Sequence, residues 1–139
     1  MKTTLFVLTY NEVIGMREIM PRIKPEWVDE ILIVDGGSTD GTIEYAKEQG
    51  YATYVQKRKG IRHAYIEALP LVKTDCVITF SPDGNSVPEA IPGLIEKIKG
   101  GYDMVIASRY LDDAISHDDS LITRFGNWLF TKFINIFHK

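Results

Sequence analysis

Two aspartates in this chain stand where an apolar run breaks into a glycine turn. Asp35 ends the run Ile31–Val34 and opens onto Gly36-Gly37-Ser38, and Asp83 follows Cys76–Phe80 within Ser81-Pro82-Asp83-Gly84-Asn85. A carboxylate so placed can meet a ligand or a hard cation; Mg²⁺ commonly takes only one or two protein carboxylates and completes its shell with phosphate and water. Glycine turns and helix starts add backbone N–H donors suited to ribose and phosphate. A basic loop, Lys57-Arg58-Lys59-Gly60-Ile61-Arg62, supplies positive charge. Together these groups suit a phosphorylated ligand. They also have a plainer use, because Asp and Ser cap turns and helices and Pro-Asp-Gly is a good turn by itself. Both uses remain open on these residues taken singly.

The elements that must position them follow from apolar periodicity. Thr3–Thr9 reads as a strand buried on both faces, running into Tyr10-Asn11-Glu12 and a helix to about Ile23 that Pro21 and Pro25 bracket. Ile31–Asp35, Ala52–Gln56, Cys76–Phe80 and Tyr102–Ala107 read as further strands. Helices are expected over Gly41–Gln49, from Ile61 to about Val72, and from Pro88 to Lys99. Alternation of this kind predicts an α/β fold, a mostly parallel sheet flanked by helices. The polar and glycine loops fall at the carboxyl ends of the strands, where open α/β sheets bind ligands.

The chain has 139 residues and a formal net charge of −3, which fits a single domain and argues against a general nucleic-acid binder. Its single cysteine, Cys76, excludes an internal disulfide and is expected to be a buried small hydrophobe. No signal-peptide pattern precedes the first strand, and no apolar run is long enough to span a bilayer. The expectation is a cytoplasmic or cytoplasm-facing domain over residues 1–119, with residues 120–139 as an amphipathic terminal helix of the same domain. That helix carries Ile122, Phe125, Leu129, Phe133 and Ile136 on one stripe, and Arg124, Lys132 and Lys139 are its only charges. Such a helix suits a membrane interface; docking on a core or on a second copy in a homo-oligomer is the other use.

The segments Thr9–Glu12 (T-Y-N-E), Val34–Thr42 (V-D-G-G-S-T-D-G-T), Lys57–Ala64 (K-R-K-G-I-R-H-A), Ser81–Asn85 (S-P-D-G-N) and Ser108–Tyr110 (S-R-Y), in this order, resemble glycosyltransferase family 2. The likeness is greatest to its dolichyl- and polyprenyl-phosphate sugar transferase branch and covers nearly the whole chain. It implies a glycosyltransferase A-type fold, a GDP- or UDP-linked sugar donor, Mg²⁺ or Mn²⁺, inversion at the anomeric carbon and a lipid phosphate acceptor. Carried over by position, Thr9, Tyr10 and Glu12 belong to the loop that contacts the nucleotide. Asp35, with Gly37 and Ser38, lies by the nucleoside, and Lys57, Gly60 and Arg62 belong to the basic loop beside the donor. Asp83 is the last acid of the metal motif, with Asn85 a possible oxygen ligand, and Arg109 lies near phosphates and acceptor.

Three departures stand against that pattern. Gly36 replaces the second acid of V-D-D, Ser81 replaces the first acid of D-x-D, and the chain stops at Lys139 where relatives continue. On the acceptor side lie Asp112, Asp113, His117, Asp118 and Asp119. A sugar hydroxyl acceptor would need one of these as general base, whereas a lipid phosphate is already an anion and needs positioning. The plainer use of this acidic stretch is a solvated connection with a helix cap. His63 and His138 read as surface positions. Two rival classes remain: a nucleotidyltransferase, disfavoured because T-Y-N-E stands where a glycine-rich basic loop would be expected, and a non-catalytic, partner-dependent nucleotide-binding module with a degenerate metal site.

Overall fold

A computed structural model of the chain describes residues 1–108 and 121–137. The chain divides into two compact units, Met1–Val105 and Ile106–Lys139, each described by itself.

The first unit is built on β1 (Thr3–Thr9), β2 (Glu30–Asp35), β3 (Ala52–Val55) and β4 (Cys76–Phe80), in the order β3-β2-β1-β4. All three pairings are parallel, with Thr9 opposite Asp35 and Val7 opposite Phe80. Because successive side chains alternate between faces, Leu5, Val7 and Ile33 enter one apolar layer while Phe6 and Val34 enter the other. Helices α1 (Val13–Ile19), α2 (Thr42–Glu48) and α4 (Ile91–Lys99) supply Met16, Ile19, Ala46, Ile91 and Ile95 to the first layer. The helix α3 (Ile61–Ala68) covers the second with Ala64 and Ala68, and its Tyr65 stacks on Phe6 with ring centroids 5.5 Å apart.

The chain steps outward from β1 to β2 to β3, then crosses to the other side of β1 for β4. Right-handed crossovers therefore place α1 and α2 on one face and α3 on the other. The reversal falls between β1 and β4, and a crevice at the carboxyl ends of the strands is expected at such a switch point.

The expected strand over Tyr102–Ala107 does not form. Tyr102, Met104 and Ile106, the apolar side of its alternating pattern, are 61%, 73% and 70% exposed, and no described strand pairs with them. Alternation marks a segment able to be a strand; ladder partners and a covering layer make it one. Among the described residues β4 is accordingly an edge, and Cys76 at its start is partly exposed rather than buried.

In the second unit α5 (Leu121–Phe137) exposes Phe125, Trp128, Phe130, Phe133 and Phe137 by more than half of each side chain. Phe125 stacks on Trp128, Phe133 on Phe137, and the Lys132 ammonium lies 5.9 Å from the Trp128 ring centroid. No described helix is long and apolar enough to cross a membrane.

Candidate functional site

The loop after β2 is organised by one carboxylate. Asp35 is fully buried; its Oδ1 accepts the N–H groups of Gly37 at 2.8 Å and Ser38 at 2.7 Å. Its Oδ2 accepts the hydroxyls of Thr9 at 2.8 Å and Ser38 at 2.6 Å. A carboxylate has about four lone-pair positions, so all are filled from within. The left-handed Gly37 (φ 93°) lets the chain curl tightly enough to deliver two successive amides. Asp35 is thus buried beneath the strand ends instead of facing a ligand, and the Gly37 and Ser38 amides are committed to it. The physical reason is local: a buried carboxylate requires donors, and the turn's own amides are nearest.

The rest of the motif holds the first loop. Asn11 N–H donates to Ser38 Oγ at 2.8 Å, and Thr39 N–H donates to Asn11 Oδ1 at 2.9 Å. Glu12 N–H donates to Thr42 Oγ1 at 2.9 Å and Val13 N–H to Asp40 Oδ2 at 3.0 Å. Asp40 Oδ1 accepts the Thr42 hydroxyl at 2.6 Å and the Thr42 N–H at 3.1 Å. Partial burial pushes the Asp40 carboxyl up, but these bonds from Thr42 and Val13 outweigh it and hold it below its ordinary value. The unpaired amides at the start of α1 are therefore capped from the β2–α2 loop, a long-range form of capping that leaves α1 without a cap of its own. The same bonds hold Asn11 at φ 55°, the one left-handed non-glycine residue described.

So fixed, Thr9, Tyr10 and Glu12 line a cavity of about 540 Å³ together with Gly36, Gln56 and Lys59. Gly60 and Ser81 also line it, with Leu8, Val34, Ile61 and Ala64 as apolar walls. The lining comes from the carboxyl ends of all four strands, from Gln56 beyond β3 to Ser81 beyond β4. Three interstrand steps of about 4.8 Å make this roughly 14 Å across. The Tyr10 ring packs against Gly36, where a Cβ would lie 3.0 Å from its Cδ2.

Of the other expected site residues, Gly60 lines the cavity, whereas Lys57 and Arg62 do not. Glu67 of α3 ties the basic loop down, accepting Lys57 N–H at 2.7 Å and pairing with Arg58 Nε at 3.0 Å. Those two donors, joined by the Tyr54 hydroxyl, hold the Glu67 carboxyl down to about 2. Lys59 is the basic side chain left at the cavity wall. Lys59 lay within the basic loop of the motif, whereas Gln56 and Glu67 fell outside the motifs because their roles depend on how β3 meets α3.

At the β4 end, α1 meets the Ser81–Asn85 loop so closely that a Cβ on Gly15 would overlap the carbonyl oxygen of buried Pro82. Glu12 Oε2 lies 3.5 Å from that same Cβ position, which brings its carboxylate to the Pro82–Asp83 turn. Partial burial, then the negative charges of Asp83 and Asp40, push the Glu12 carboxyl up. Asp83 Oδ1 accepts Asn85 N–H at 2.9 Å across left-handed Gly84, which leaves Oδ2 without a hydrogen-bond donor among the described residues. Two neighbouring hard-oxygen groups fit Mg²⁺ or Mn²⁺. No cluster of three or more such ligands occurs among the described residues, so phosphate oxygens and water would complete the shell. Arg109 and the acidic residues from Asp112 to Asp119 lie outside the described residues.

Residues 4–139 match the family model described as glycosyl transferase family 2. A dolichol-phosphate mannosyltransferase of Pyrococcus furiosus is 35% identical over 119 residues, covering 80% of this chain and 34% of that one. An undecaprenyl-phosphate 4-deoxy-4-formamido-L-arabinose transferase of Klebsiella pneumoniae is 30% identical over 116 residues, covering 75% and 36%. The chain thus spans about a third of the length of these curated relatives. Among solved structures, glucosyl-3-phosphoglycerate synthase of Mycobacterium tuberculosis, in complex with Mn²⁺ and UDP-glucose, superposes with a TM-score of 0.65 at 24% identity, covering 72% of this chain and 40% of that one. That likeness shows the fold.

Proposed function

The chain belongs to glycosyl transferase family 2, and from that premise we propose that it binds a nucleotide-diphosphate sugar across the ends of β1–β4 and transfers the sugar, with inversion, to a polyprenyl phosphate. The observation that carries the reading is the cavity that runs from Gln56 to Ser81 and takes in Glu12, whose carboxyl feels the negative charge of Asp83. The acceptor class is supported by the two relatives named for dolichol phosphate and undecaprenyl phosphate.

In this reading Tyr10 offers its ring to the nucleoside, and Lys59 offers positive charge at the wall. Asp83 and Glu12 would hold Mg²⁺ or Mn²⁺, which when bound supplies Lewis-acid stabilisation of the departing diphosphate. An acceptor phosphate oxygen forms the bond to the anomeric carbon as the bond to the donor's diphosphate oxygen breaks, and that electron pair leaves with the nucleoside diphosphate. The acceptor is already anionic, so this chemistry requires no general base and draws instead on alignment of the two reactants. Arg109 is assigned to the phosphates and acceptor by its place in S-R-Y. The exposed aromatic face of α5 is assigned to the bilayer surface that holds the lipid acceptor.

Titration calorimetry with UDP and GDP, each with and without Mn²⁺, tests binding. Sugar transfer from the matching donor to polyprenyl phosphate tests the reaction. Mn²⁺-dependent binding with transfer is the expected outcome; failure of every nucleoside diphosphate to bind overturns the proposal. Ser81 at the cavity wall, in the place of an acid, favours one alternative, a binding module. Binding without transfer or donor hydrolysis would establish that alternative.

A further inference from the structure

At the β3 end of the cavity the side-chain acceptor free to read a base belongs to Gln56. Its backbone N–H donates to Asp35 O at 2.9 Å, which fixes the residue at the strand end. Its side-chain Nε2 donates to Arg58 O at 2.7 Å and, more weakly, to Gly60 O at 3.4 Å. Two carbonyl oxygens on one side settle which way the amide is turned, because only its NH₂ can face them. The amide oxygen Oε1 accepts no hydrogen bond among the described residues, although Gln56 is half-buried and lines the cavity.

Its described neighbours at that end offer no competing carboxylate or amide oxygen. Asp35 has all its lone-pair positions filled, and Gly36 has no side chain. Lys59 is a donor, and the Glu67 carboxylate is bound to the Lys57 amide and Arg58. Glu12, the remaining carboxylate on the lining, lies by the Pro82–Asp83 turn at the β4 end.

We infer that Gln56 Oε1 is a specificity-determining acceptor that selects a base with a ring N–H on its pairing edge, such as uracil or guanine. It would disfavour cytosine and adenine, whose corresponding ring nitrogens carry lone pairs that would oppose it. The inference rests on the proposed nucleotide-sugar reading, and its direct consequence concerns one hydrogen atom. A uracil methylated at N3 keeps its ring, ribose and phosphates and loses only the N–H that Oε1 accepts. An acceptor left unpaired by its ligand weakens binding, and a tenfold or greater loss of affinity is expected, equivalent to about 1.4 kcal/mol or more.

The test is titration calorimetry of the intact chain, with Mn²⁺ present, against UDP, N3-methyl-UDP, GDP, CDP and ADP, and of Gln56→Ala against UDP and N3-methyl-UDP. Expected are binding of UDP or GDP at least tenfold tighter than of CDP and ADP, and, where UDP binds, at least tenfold weaker binding of N3-methyl-UDP. In Gln56→Ala that UDP preference should collapse to within about twofold. Equal binding of UDP and N3-methyl-UDP by the unaltered chain would overturn the role of Gln56 and leave the proposed function standing. Since this comparison needs no variant, misfolding of Gln56→Ala does not obscure it. Failure of all five ligands to bind would overturn both.

Discussion

The side chain of Ser38 bridges two loops, donating its hydroxyl to Asp35 Oδ2 while accepting the backbone N–H of Asn11 at 2.8 Å. The loop that carries Tyr10 and Glu12 into the cavity is therefore held by the loop after β2. Replacing Ser38 with Ala should cost about 1 kcal/mol of stability. Asp35→Asn should cost more, about 1–3 kcal/mol, since an NH₂ then faces donors in a buried place. Urea denaturation measures both, and a larger loss for Ser38→Ala would contradict this ordering.

Gly15 has a different task. A methyl at that position meets the Pro82 carbonyl, so Gly15→Ala should destabilise by about 1–3 kcal/mol despite the better helix propensity of Ala. It should also weaken Mn²⁺-dependent nucleotide binding by moving Asp83 away from Glu12. Gly93 in α4, with no atom within 4 Å of its Cβ position, is the control; Gly93→Ala should stabilise by roughly 0.5–1 kcal/mol.

Asp83→Ala and Glu12→Gln should each remove much of the Mn²⁺ enhancement of nucleoside diphosphate binding while leaving the thermal midpoint within a few degrees. Asp83 is an exposed turn residue and carries little packing. Unchanged enhancement in both variants, read by calorimetry, would place the cation elsewhere.

The clamp between Glu67 and the basic loop sets a pH dependence. The Glu67 carboxyl lies at about 2 against an ordinary value of 4.5, lowered by the Lys57 amide and then by Arg58. A carboxyl lowered in the folded state contributes its full stability above about 4.5 and loses it as pH falls through about 2. The stability difference between the unaltered chain and Glu67→Gln should accordingly be level above pH 5 and shrink steadily toward pH 2. A difference that grows on acidification would contradict the clamp.

For α5, the expectation is flotation with vesicles containing anionic lipid, weakened by salt. Each basic group near an anionic surface contributes about 1 kcal/mol. Trp128→Glu with Phe133→Glu, on the exposed aromatic face, should abolish flotation. If neither form floats and the unaltered chain is a dimer that the variant breaks, the face belongs to a second copy of the chain.

Much of this was legible in the residues. Thr3–Thr9 and Cys76–Phe80 are strands with the bounds their apolar runs imply, and Asp35 and Asp83 fall at the same sheet edge. The duties within the V-D-G-G-S-T-D-G-T segment were not legible. Whether a turn amide meets a ligand or its own aspartate depends on the buried oxygen nearest to it, here Asp35 Oδ1. Gly15 looked like any helical glycine until the Pro82 carbonyl came against it. Tyr102–Ala107 had the alternation of a strand, yet no described strand pairs with it, because pairing is a property of neighbours and not of one segment.

The bonds between the first two loops also bear on how the chain acquires its shape. They join residues 26 to 30 apart in sequence, whereas β1 meets β4 across 73 residues. Closing the longer loop costs roughly 1 kcal/mol more in chain entropy. The β1–α1–β2–α2 segment can therefore assemble first, with the Asp35 network as part of its nucleus, and β4 with Asp83 docks onto loops already set. Substitutions at Asp35 should then slow folding, and those at Gly15 and Pro82 should chiefly hasten unfolding.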